Sequence, residues 1–511
     1  MATLISPKKQ AQAPASICKD SSVTRARIAI IGGGIAGLAA AYEVEKARST
    51  GAAISYTLFE DRPRLGGSLS SEIVNDAVLE RGPDSFLTEK PAATELCREL
   101  GLGGDLLPSN DAARKTYIVV RNRLVALPDG LMFLVPTKLV PTALTTLFSL
   151  PTKLRMAMEL MHPPRPAGQD ESVAALVERH FGREAVDRLA DPLLSGIYGG
   201  DSAQLSAQTV LPRLVDMERQ YGSLTRGMLA AHRKMQAMMK NKAPGQSGRT
   251  GGSAIFTALR GGMSQLVDAI AVRLDSGSVR TSAAVRAIAR TNARWTISTA
   301  DGRGEFDALI LATPAWAAAT LLAPIDGELG TALAGIPYSS SITVNLVYDE
   351  TQIGTLPEGF GFLVPAVEGR AMLACTFVHR KFLGRTPRGK AVFRAFLGGM
   401  KNEAMLDATD DTLVATVRRE MSEILGAKTF SAAAEPEYTQ VSRWRRAMAQ
   451  YAVGHKERMQ CIKDRVAALP GLRLAGNAYD GIGVPDCIRL GRQAARELVA
   501  AGVRAASGTP A

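Results

Sequence analysis

Residues 27–38 read RIAIIGGGIAGL, and this segment decides the fold. A short apolar, β-branched run is followed by Gly32, Gly34 and Gly37 in GxGxxG spacing, and then by a helix-favouring stretch at residues 38–46. In a strand–turn–helix unit the first glycine permits the turn, the second lets the backbone approach a pyrophosphate, and the third allows helix and strand to pack closely. The helix N-terminus then faces the phosphate charge. The segment therefore predicts a Rossmann-like unit that binds a dinucleotide.

The next predicted strand, residues 54–59, ends at Glu60, where a carboxylate can accept hydrogen bonds from a ribose. It is followed by DRPRLGGSLSS, which contains Arg64 and the pair Gly66 and Gly67. A glycine pair at this place lets the chain pass close to the phosphates of the cofactor, with Arg64 available for charge, and it resembles flavoproteins of the amine-oxidase type. We therefore expect FAD rather than NAD. The alternative is a glycine turn with a solvated arginine.

Two distant segments extend the same domain. Residues 306–311 predict an apolar strand, and the ATP sequence at residues 312–314 resembles the turn by which this flavoprotein superfamily returns to its dinucleotide domain. Residues 472–475 predict another strand, followed by Gly476 and by GIGVPDCIRLGRQAA. Its glycines and proline open a helix whose first backbone amides can face the isoalloxazine or a phosphate. The FAD domain is thus discontinuous, and the other domains are insertions.

The remaining patterns predict two such insertions. Apolar residues recur at three- and four-residue intervals in the region 131–240, which predicts helices. Strand-like runs at residues 341–348, 361–365, 371–378 and 391–397 predict an antiparallel sheet that forms the floor of a substrate cavity. The predicted fold class is α/β and α+β, with a discontinuous Rossmann-like FAD-binding domain, an antiparallel-sheet substrate domain and an α-helical insertion. The predicted boundaries are a disordered tail at 1–24, the FAD domain at 25–90, 254–325 and 451–505, the substrate domain at 91–130 and 326–450, the insertion at 131–240 and a loop at 241–253.

The composition indicates an ordinary globular protein with a basic balance. Of 511 residues, 46% are hydrophobic and 22% are charged, and the net charge is +12. The basic residues are dispersed and no nucleic-acid motif accompanies them, so we expect no nucleic-acid partner. The cysteines are scattered without CxxC spacing, and the histidines lack ligand spacing. These patterns predict neither a disulfide framework nor a metal site.

We expect neither a secretory signal nor a membrane-spanning segment. The N-terminal residues are polar and lack an apolar h-region. The stretch LVPTALTTLFSLPT at residues 139–152 is too short to span a bilayer and is broken by Pro141 and Pro151. We expect it to form a buried helix under a loop, with an interfacial segment that lies flat on a membrane as the alternative. The expected location is the cytoplasm, with at most peripheral contact with the inner face of the membrane.

Motifs spread over nearly the whole chain, from about residue 28 to residue 499, resemble the protoporphyrinogen and coproporphyrinogen oxidase family of haem biosynthesis. They are LERGPDSFL at 79–87, ADPLLSGIYGGD at 190–201, LRGGMSQLVDAI at 259–270, GFGFLVP at 359–365, RWRRAMAQYAVGH at 443–455 and AGNAYDGIGVPDCIR at 475–489. One position departs from the family pattern, because Ala449 stands where proline is usual. That departure puts a local turn in doubt.

The resemblance and the glycine patterns together assign FAD contacts to several segments. The predicted cofactor residues are Gly32, Gly33, Gly34, Ile35, Ala36, Gly37 and Leu38; Glu60, Asp61, Arg64, Gly66 and Gly67; Gly82, Pro83, Asp84 and Ser85; Val285 and Trp444; and Gly476, Ile482, Gly483 and Val484. Val285 fits because the sequence VRAI predicts an edge strand whose backbone can meet the adenine. For Trp444 the alternative is core packing.

The reaction that the resemblance implies removes six electrons from a porphyrinogen. FAD accepts them in three rounds, and molecular oxygen reoxidises the flavin with formation of hydrogen peroxide. The protein supplies position and a dry pocket, so we assign no catalytic side chain. An apolar macrocycle with carboxylate arms calls for apolar lining together with basic side chains. The predicted substrate-binding residues are Gly361, Phe362 and Leu363 for the macrocycle and Arg81, Lys115 and Arg443 for the carboxylates, each cation having a solvated surface charge as its alternative.

Other functions remain open at this point. A flavin amine oxidase would use the same scaffold, but such a site needs two aromatic rings and the C-terminal motif offers only Tyr479. A catalytically idle flavoprotein that holds porphyrin for a partner is the second alternative. The sequence does not choose firmly between coproporphyrinogen III and protoporphyrinogen IX, although the lack of a spanning segment favours the copro form. A ferrochelatase partner and a homodimer are compatible with these patterns.

Overall fold

A parallel sheet of five strands carries the glycine-rich loop in the computed structural model, which describes residues 25–132, 134–164, 168–240 and 254–507. The strands come from the beginning, middle and end of the chain. Their spatial order is Val279–Arg280, Ile54–Phe59, Ala26–Ile31, Ala308–Leu311 and Leu472–Leu474, and each neighbouring pair is parallel. The discontinuous Rossmann-like arrangement is therefore confirmed. The predicted tail at 1–24 and the predicted loop at 241–253 lie outside the described residues.

Both faces of this sheet are covered. One face packs against the helices Ile35–Ser49, Pro91–Glu99, Ser264–Ala271 and Val484–Ser507. The other face packs against an antiparallel sheet of Ala287–Thr291, Arg294–Thr299 and Gly302–Phe306 and against the helices Ala315–Leu322, Gly327–Ala334 and His455–Ala467. Strands that are buried on both faces have near-continuous apolar sequences, which is what residues 28–31 and 308–311 show.

The second large sheet has seven strands. Their order is Tyr438–Ala449, Tyr338–Asp349, Lys390–Gly398, Met372–Phe377, Gly361–Leu363, Thr116–Val120 and Arg123–Ala126. All pairs are antiparallel except Gly361–Leu363 with Thr116–Val120. The helix Asp410–Leu425 covers one face, and Thr409 caps its N-terminus by accepting a hydrogen bond from the N–H of Thr412. The predicted strands at 341–348, 361–365, 371–378 and 391–397 are thus present, within a few residues of their predicted ends.

The helical insertion begins with the short strands Leu131–Met132 and Val135–Pro136 and is helical from there on. Its helices are Leu139–Leu144, Leu150–Met158, Val173–Phe181, Arg183–Ala185, Asp191–Tyr198, Ala207–Val210, Pro212–Tyr221 and Leu224–Lys240, with a π-helical segment at Val186–Ala190. Ser172 caps the helix Val173–Phe181, because its side chain accepts a hydrogen bond from the N–H of Ala175.

A buried ionic cluster holds the insertion together. The side chains of Glu159 and His180 are fully buried, and the His180 Nδ1 lies 2.9 Å from Glu159 Oε1. The carboxylate of Glu159 also accepts hydrogen bonds from the Ser223 hydroxyl at 2.8 Å and the Leu224 N–H at 2.6 Å, so it caps the last helix of the insertion. His180 Nε2 lies 3.3 Å from Glu218 Oε1. Burial lowers the pKa of His180, but the two carboxylates outweigh it and raise the net value above 6.5.

Smaller elements connect these parts. The strands are Ser71–Val74, Ala77–Glu80, Phe86–Leu87, Leu106–Pro108 and Phe256–Leu259, the short helix is Val378–Lys381, and the 3-10 turns are Gly103–Asp105, Asp111–Ala113, Glu159–Met161, Ser276–Ser278, Glu350–Gln352, Ala366–Glu368 and Glu403–Asp407.

The expectation of a buried helix at residues 139–152 is only partly met. Leu147 and Phe148 are buried, but Val140 and Leu144 on the helix Leu139–Leu144 are 69% and 77% exposed. Sequence periodicity predicts that a helix has an apolar face but not whether another element covers that face. Within the described ranges, the helices include none that is long and apolar enough to cross a membrane.

Candidate active site

The glycine-rich loop leaves its backbone open at one position. Gly32 has a φ of +106°, and a Cβ there would lie 2.6 Å from the carbonyl oxygen of Ala312. A Cβ at Gly37 would lie 1.8 Å from the carbonyl oxygen of Gly32, so the helix packs directly on the turn. At Gly34, by contrast, a Cβ would meet no atom within 4 Å. The loop therefore offers the space that a pyrophosphate needs, in front of the N-terminus of the helix Ile35–Ser49.

Glu60 closes one end of this loop. Its side chain is buried, and its carboxylate accepts hydrogen bonds from the N–H groups of Gly33 at 2.6 Å and Arg62 at 3.0 Å. Burial, together with the neighbouring Asp61, raises the pKa of Glu60. A carboxylate held at the tip of a strand in this way is suited to the hydroxyl groups of a ribose.

The second glycine pair continues the cradle. The N–H of Gly66 donates to the carbonyl oxygen of Gly33 at 2.8 Å, and a Cβ at Gly67 would lie 3.1 Å from the Cα of Gly34. Both members of the pair have positive φ, at +100° and +59°. The guanidinium of Arg64 donates to the carbonyl oxygen of Gly67 at 2.7 Å, and burial lowers its pKa. Arg64 therefore braces this turn and places a positive charge beside it.

The segment from Gly82 to Ser85 lies against the same turn. A Cβ at Gly82 would lie 1.9 Å from the carbonyl oxygen of Ser68 and 3.5 Å from the Trp444 ring. The indole N–H of Trp444 donates to the carbonyl oxygen of Arg81 at 2.7 Å. Trp444 is only half-buried, so it stands at the edge of the cradle rather than in the core.

The C-terminal motif adds a second helix N-terminus. Gly476 has a φ of +137° directly after its strand, and Val484 begins the helix Val484–Ser507. This helix lies beside the helix Ile35–Ser49, because a Cβ at Gly491 would lie 2.0 Å from the carbonyl oxygen of Ala36. The N-termini of two adjacent helices favour an anionic group in front of them.

Sequence reasoning missed an ion pair at this second N-terminus. The carboxylate of Asp486 accepts a hydrogen bond from the N–H of Gly483 at 3.2 Å and pairs with Lys90 at 2.6 Å. An acid in the first turn of a helix that opens with proline is a typical capping signal and could have revealed Asp486. Lys90 carries no comparable signal, because its partner is 396 residues away.

Val285 lies just before a strand and not within it. The prediction of an edge strand at VRAI holds only for its second half, since the edge strand Ala287–Thr291 begins at Ala287. The chain is instead fixed by the N–H of Ala283, which donates to the carbonyl oxygen of Glu60 at 2.8 Å. A single hydrogen bond to a loop backbone does not require the alternation of apolar and polar residues from which a strand is predicted. Val285 therefore lies two residues from a direct contact with Glu60.

The structure thus brings the segments that contain the predicted cofactor residues to one continuous cradle, and an adenine dinucleotide with a flavin fits the donor groups there. Those residues are Gly32, Gly33, Gly34, Ile35, Ala36, Gly37, Leu38, Glu60, Asp61, Arg64, Gly66, Gly67, Gly82, Pro83, Asp84, Ser85, Val285, Trp444, Gly476, Ile482, Gly483 and Val484. Their individual contacts with the cofactor remain predictions.

The predicted substrate residues are more dispersed. Phe362 is 2% exposed and packs on Phe377 in the core of the large sheet, and a Cβ at Gly361 would lie 1.9 Å from the carbonyl oxygen of Cys375. Leu363 is half-buried and approaches Gly196 of the insertion. Leu363 is therefore the member of this set that lies at the boundary between the sheet and the insertion.

The three predicted carboxylate-binding cations already have acidic partners. Arg81 pairs with Glu72 at 2.7 Å, Lys115 with Glu358 at 2.8 Å, and Arg443 with Asp410 at 2.6 Å. All three pairs are at least partly exposed, so each contributes little to stability and can be exchanged for another carboxylate. Their role in substrate binding remains a prediction.

Two tyrosines lie at the C-terminal motif. Tyr479 belongs to the motif itself, and Tyr451 precedes it in the chain. The Tyr451 hydroxyl donates to the carbonyl oxygen of Asn477 and accepts from the N–H of Gly481, both at 2.9 Å, and its ring stacks on His455 with centroids 4.2 Å apart. Burial lowers the pKa of His455 to about 4. Tyr479 is buried, and burial raises its pKa. Tyr451 is thus occupied in holding the turn at Asn477 and Gly481.

Comparison with known proteins agrees with this cradle. The family model for flavin containing amine oxidoreductases matches residues 35–499. The chain belongs to this family. The coproporphyrinogen III oxidase of Bacillus subtilis is 32% identical over 92% of this chain and 97% of its own length. The chloroplastic protoporphyrinogen oxidase of Nicotiana tabacum is 28% identical over 97% of this chain and 89% of its own length.

Solved structures agree at the level of the whole fold. A crystal structure of a protein from Exiguobacterium, provisionally named a protoporphyrinogen oxidase, superposes with a TM-score of 0.80 at 32% identity and covers 93% of this chain and 99% of its own. A putrescine oxidase superposes with a TM-score of 0.63 at 18% identity, again over 93% and 99% of the chains, and shares the fold alone. Within the flavin amine oxidoreductases, the chain is therefore a member of the porphyrinogen oxidase branch, and FAD is its cofactor.

Proposed function

We propose that this protein is an FAD-dependent porphyrinogen oxidase of haem biosynthesis that converts coproporphyrinogen III to coproporphyrin III. The observation that carries the proposal is a complete dinucleotide cradle in a chain that is similar over more than nine-tenths of its length to the coproporphyrinogen III oxidase of Bacillus subtilis. Each turnover removes six hydrogens from the substrate and passes them to three molecules of oxygen, which leave as three molecules of hydrogen peroxide. FAD supplies the hydride acceptor for each two-electron step.

In this proposal the protein itself binds and orients the cofactor and the substrate. The open backbone at Gly34 and the N-terminus of the helix Ile35–Ser49 receive the pyrophosphate, and Glu60 receives the ribose. The macrocycle binds beside the contact between the large sheet and the helix Asp191–Tyr198, where Leu363 packs near Gly196. An aliphatic wall of this kind suits a flat apolar ring and keeps water away from the flavin. The proposed domains keep the boundaries given above, with the insertion at 131–240 closing the cavity.

Amine oxidation is the second candidate, and one contact argues against it. Tyr451 is a candidate for the second aromatic ring beside Tyr479, but its hydroxyl is bonded on both sides and its ring is stacked on His455. Incubation with benzylamine and putrescine should therefore leave the flavin oxidised. A catalytically idle porphyrin carrier would behave in the same way with amines, so the porphyrinogen experiment is needed to exclude it.

Anaerobic addition of porphyrinogen tests the proposal directly. With enzyme in excess, each coproporphyrinogen III should bleach about three equivalents of bound flavin at 450 nm, because one flavin accepts two electrons. Readmission of air should restore the yellow form and release peroxide, which identifies oxygen as the acceptor. The proposal is contradicted if the bound flavin stays oxidised after substrate is added and is reduced no further than free FAD in a control cuvette.

The proposed location is the cytoplasm, with peripheral contact with the inner face of the membrane. A ridge on the insertion supports this contact. Its apolar members are 59–77% exposed and lie on neighbouring helices: Val140, Leu144, Leu150, Leu154, Met158 and Met161. Lys138, Lys153 and Arg155 are the cations in this stretch, and its acid, Glu159, is fully buried. An apolar ridge with cationic flanks is suited to an anionic lipid surface.

Sedimentation with vesicles tests the ridge. Wild-type protein should bind vesicles of phosphatidylglycerol and phosphatidylcholine but not pure phosphatidylcholine, and the L144S/L154S variant should lose most of the binding. The matched control I73S removes an equally exposed apolar residue, 60% exposed, outside the insertion and should bind as wild type does. Equal binding by all three proteins contradicts the membrane proposal without affecting the oxidase proposal. Light scattering without lipid tests two other partners of the protein. A homodimer formed through the same ridge would appear as a doubled mass. A ferrochelatase partner, which would consume the porphyrin product, would appear as a complex of the two enzymes in the same measurement.

A further inference from the structure

Beneath the segment Gly82–Ser85 lies a buried group of five charged residues: Glu80, Asp84, Lys381, Arg385 and Arg394. The Arg385 side chain is fully buried and that of Arg394 is 4% exposed. Both extend from the seven-stranded sheet region toward the cradle, across more than 300 residues of sequence. Neither the sequence motifs nor the proposed chemistry assigns them a role. Buried arginines are costly, so their contacts deserve an explanation.

These cations hold the main chain of the cradle segment. Arg394 on the strand Lys390–Gly398 donates to the carbonyl oxygen of Gly82, and Arg385 donates to the carbonyl oxygen of Asp84 at 3.1 Å. The carbonyl oxygens of Glu80 and Arg81 are bound in the same way by other sheet residues. Those donors are the Asn345 amide at 3.0 Å, the Thr343 hydroxyl at 2.8 Å and the Trp444 indole at 2.7 Å.

The opposite side of the segment is left open. In the described part of the chain, the N–H groups of Gly82, Asp84 and Ser85 donate no hydrogen bond to the protein. Side-chain donors from the sheet thus occupy the carbonyl oxygens, while the amide donors of the same residues are free. Free backbone N–H groups in a cradle are suited to acceptor atoms of a ligand. The oxygens and ring nitrogens of a flavin are such acceptors.

The charges of the group do not cancel. Lys381 pairs with Asp84 at 2.9 Å, Arg385 pairs with Glu80, and Arg394 lies 3.8 Å from Asp84. Glu80 is further satisfied by the N–H of Met263 at 2.8 Å and the Ser71 hydroxyl at 2.7 Å. Three cations therefore face two carboxylates, which leaves one positive charge in a buried place under the cradle. A buried charge is weakly screened and acts over longer distances than a surface charge.

We propose that Arg394 is a positioning residue of the flavin site, which orients the N–H groups of Gly82, Asp84 and Ser85 toward the flavin and supplies the surplus positive charge that favours its reduced, negatively charged state. The two effects act on different quantities. The hydrogen bond to Gly82 sets the geometry of the cradle and hence the affinity for FAD. The charge sets how readily the bound flavin accepts electrons or a nucleophile such as sulfite.

Three variants of the holoenzyme separate these effects. R394M removes the hydrogen bond and the charge, and R394K keeps the charge but not the planar donor geometry. The double variant D84N/R394M removes the hydrogen bond but restores the surplus of one positive charge, because a carboxylate is lost with the arginine. K390M removes a positive charge from the same strand at a surface pair with Asp349 and Glu437 and serves as the control.

The readouts are FAD dissociation, the dissociation constant of the sulfite adduct and the flavin midpoint potential, with porphyrinogen turnover as an additional measurement. R394M should weaken both FAD and sulfite binding by about tenfold or more and make the potential more negative. R394K and D84N/R394M should keep sulfite binding and potential near the wild-type values, and both should bind FAD more weakly. K390M should match the wild type in every readout.

Two results would overturn the proposal. Wild-type FAD affinity in R394M would refute the positioning role. A lowered potential shared by R394M and D84N/R394M would refute the role of the charge. Should R394M fail to fold because the carbonyl oxygen of Gly82 loses its donor and Asp84 keeps Lys381 alone, R394K and the double variant still decide both points. Failure of the proposed substrate would not affect the outcome, because FAD and sulfite binding do not require a porphyrinogen.

Discussion

Replacing Gly34 with alanine adds one carbon atom, the Cβ, which should weaken FAD binding without impairing folding. Gly34 has φ −70° and ψ 177°, an extended conformation that alanine adopts without strain, and its new Cβ would meet no protein atom within 4 Å. The flavin-free variant should therefore fold and gain about 0.5 kcal/mol of stability, since alanine lowers the entropy of the unfolded chain. The Cβ would instead occupy the space through which the pyrophosphate approaches the backbone.

The expected loss of affinity follows from the contacts that the Cβ would displace. If two charge-assisted hydrogen bonds of about 1.5 kcal/mol each are lost, the cost is about 3 kcal/mol, or roughly a hundredfold in the FAD dissociation constant. Titration of flavin-stripped protein with FAD, followed by flavin fluorescence quenching, measures this constant. Differential scanning fluorimetry without FAD measures the stability.

The matched control is Gly37→Ala, three residues further on in the first turn of the helix Ile35–Ser49. Its Cβ would lie 1.8 Å from the carbonyl oxygen of Gly32, so this variant should lose about 2 kcal/mol or more of stability as well as FAD binding. The reasoning is refuted if Gly34→Ala binds FAD within about threefold of the wild type, which would mean that no phosphate passes this backbone. It is equally refuted if the flavin-free variant melts below the flavin-free wild type.

Three further predictions concern the insertion, the cradle edge and the substrate. Because the pKa of His180 is raised above 6.5, the contribution of His180 to stability is complete below pH 6.5 and is lost as the pH rises through the raised value. Burial raises the pKa of Glu218, but the bonds of Glu218 to His180 and Arg179 lower this pKa to about 2. The contribution of Glu218 to stability is therefore lost as the pH falls from 4.5 toward 2. The melting temperature should therefore be highest between these limits, and E159Q should cost about 3 kcal/mol against about 0.5 kcal/mol or less for the half-exposed control E178Q in urea unfolding. W444F removes the bond to the Arg81 carbonyl oxygen, which Thr343 still satisfies, and should weaken FAD binding by a factor of about five with little change in melting temperature. R443M removes the exposed pair with Asp410 and the hydrogen bonds to the carbonyl oxygens of Leu406 and Ala408, so it should cost about 1–2 kcal/mol of stability. It should also raise the KM for coproporphyrinogen about tenfold if Arg443 binds a carboxylate arm, and an unchanged KM in steady-state assays would remove Arg443 from the substrate site.

The parts of the site that could be predicted from sequence depend on local backbone geometry. Gly32 must have positive φ and Gly37 must admit a carbonyl oxygen, so both positions require glycine whatever surrounds them. Glu60 could be predicted in the same way, because the end of a strand fixes its position. These requirements depend on only a few neighbouring residues, so they are visible in the sequence as the spacing of the glycines and the position of the strand end.

The parts that sequence did not predict depend on distant partners. Arg394 contacts Gly82 across 312 residues, and nothing near position 82 indicates that contact. One signal was nevertheless present, since the strand KAVFRAFLG places a charge at the centre of an otherwise apolar run. A buried charge of this kind must have a partner. Likewise, the exposed ridge at residues 139–161 follows from the absence of a covering element among the described residues, which no periodicity can predict.

Parallel turnover assays with coproporphyrinogen III and protoporphyrinogen IX under air test the central claim most directly. Porphyrin fluorescence and peroxide release are followed together, with the spontaneous oxidation rate of each substrate subtracted. The proposal predicts faster turnover of the copro form, with about three peroxides formed per porphyrin. Porphyrin formation no faster than the spontaneous rate with both substrates, by protein that is fully loaded with FAD, would contradict it.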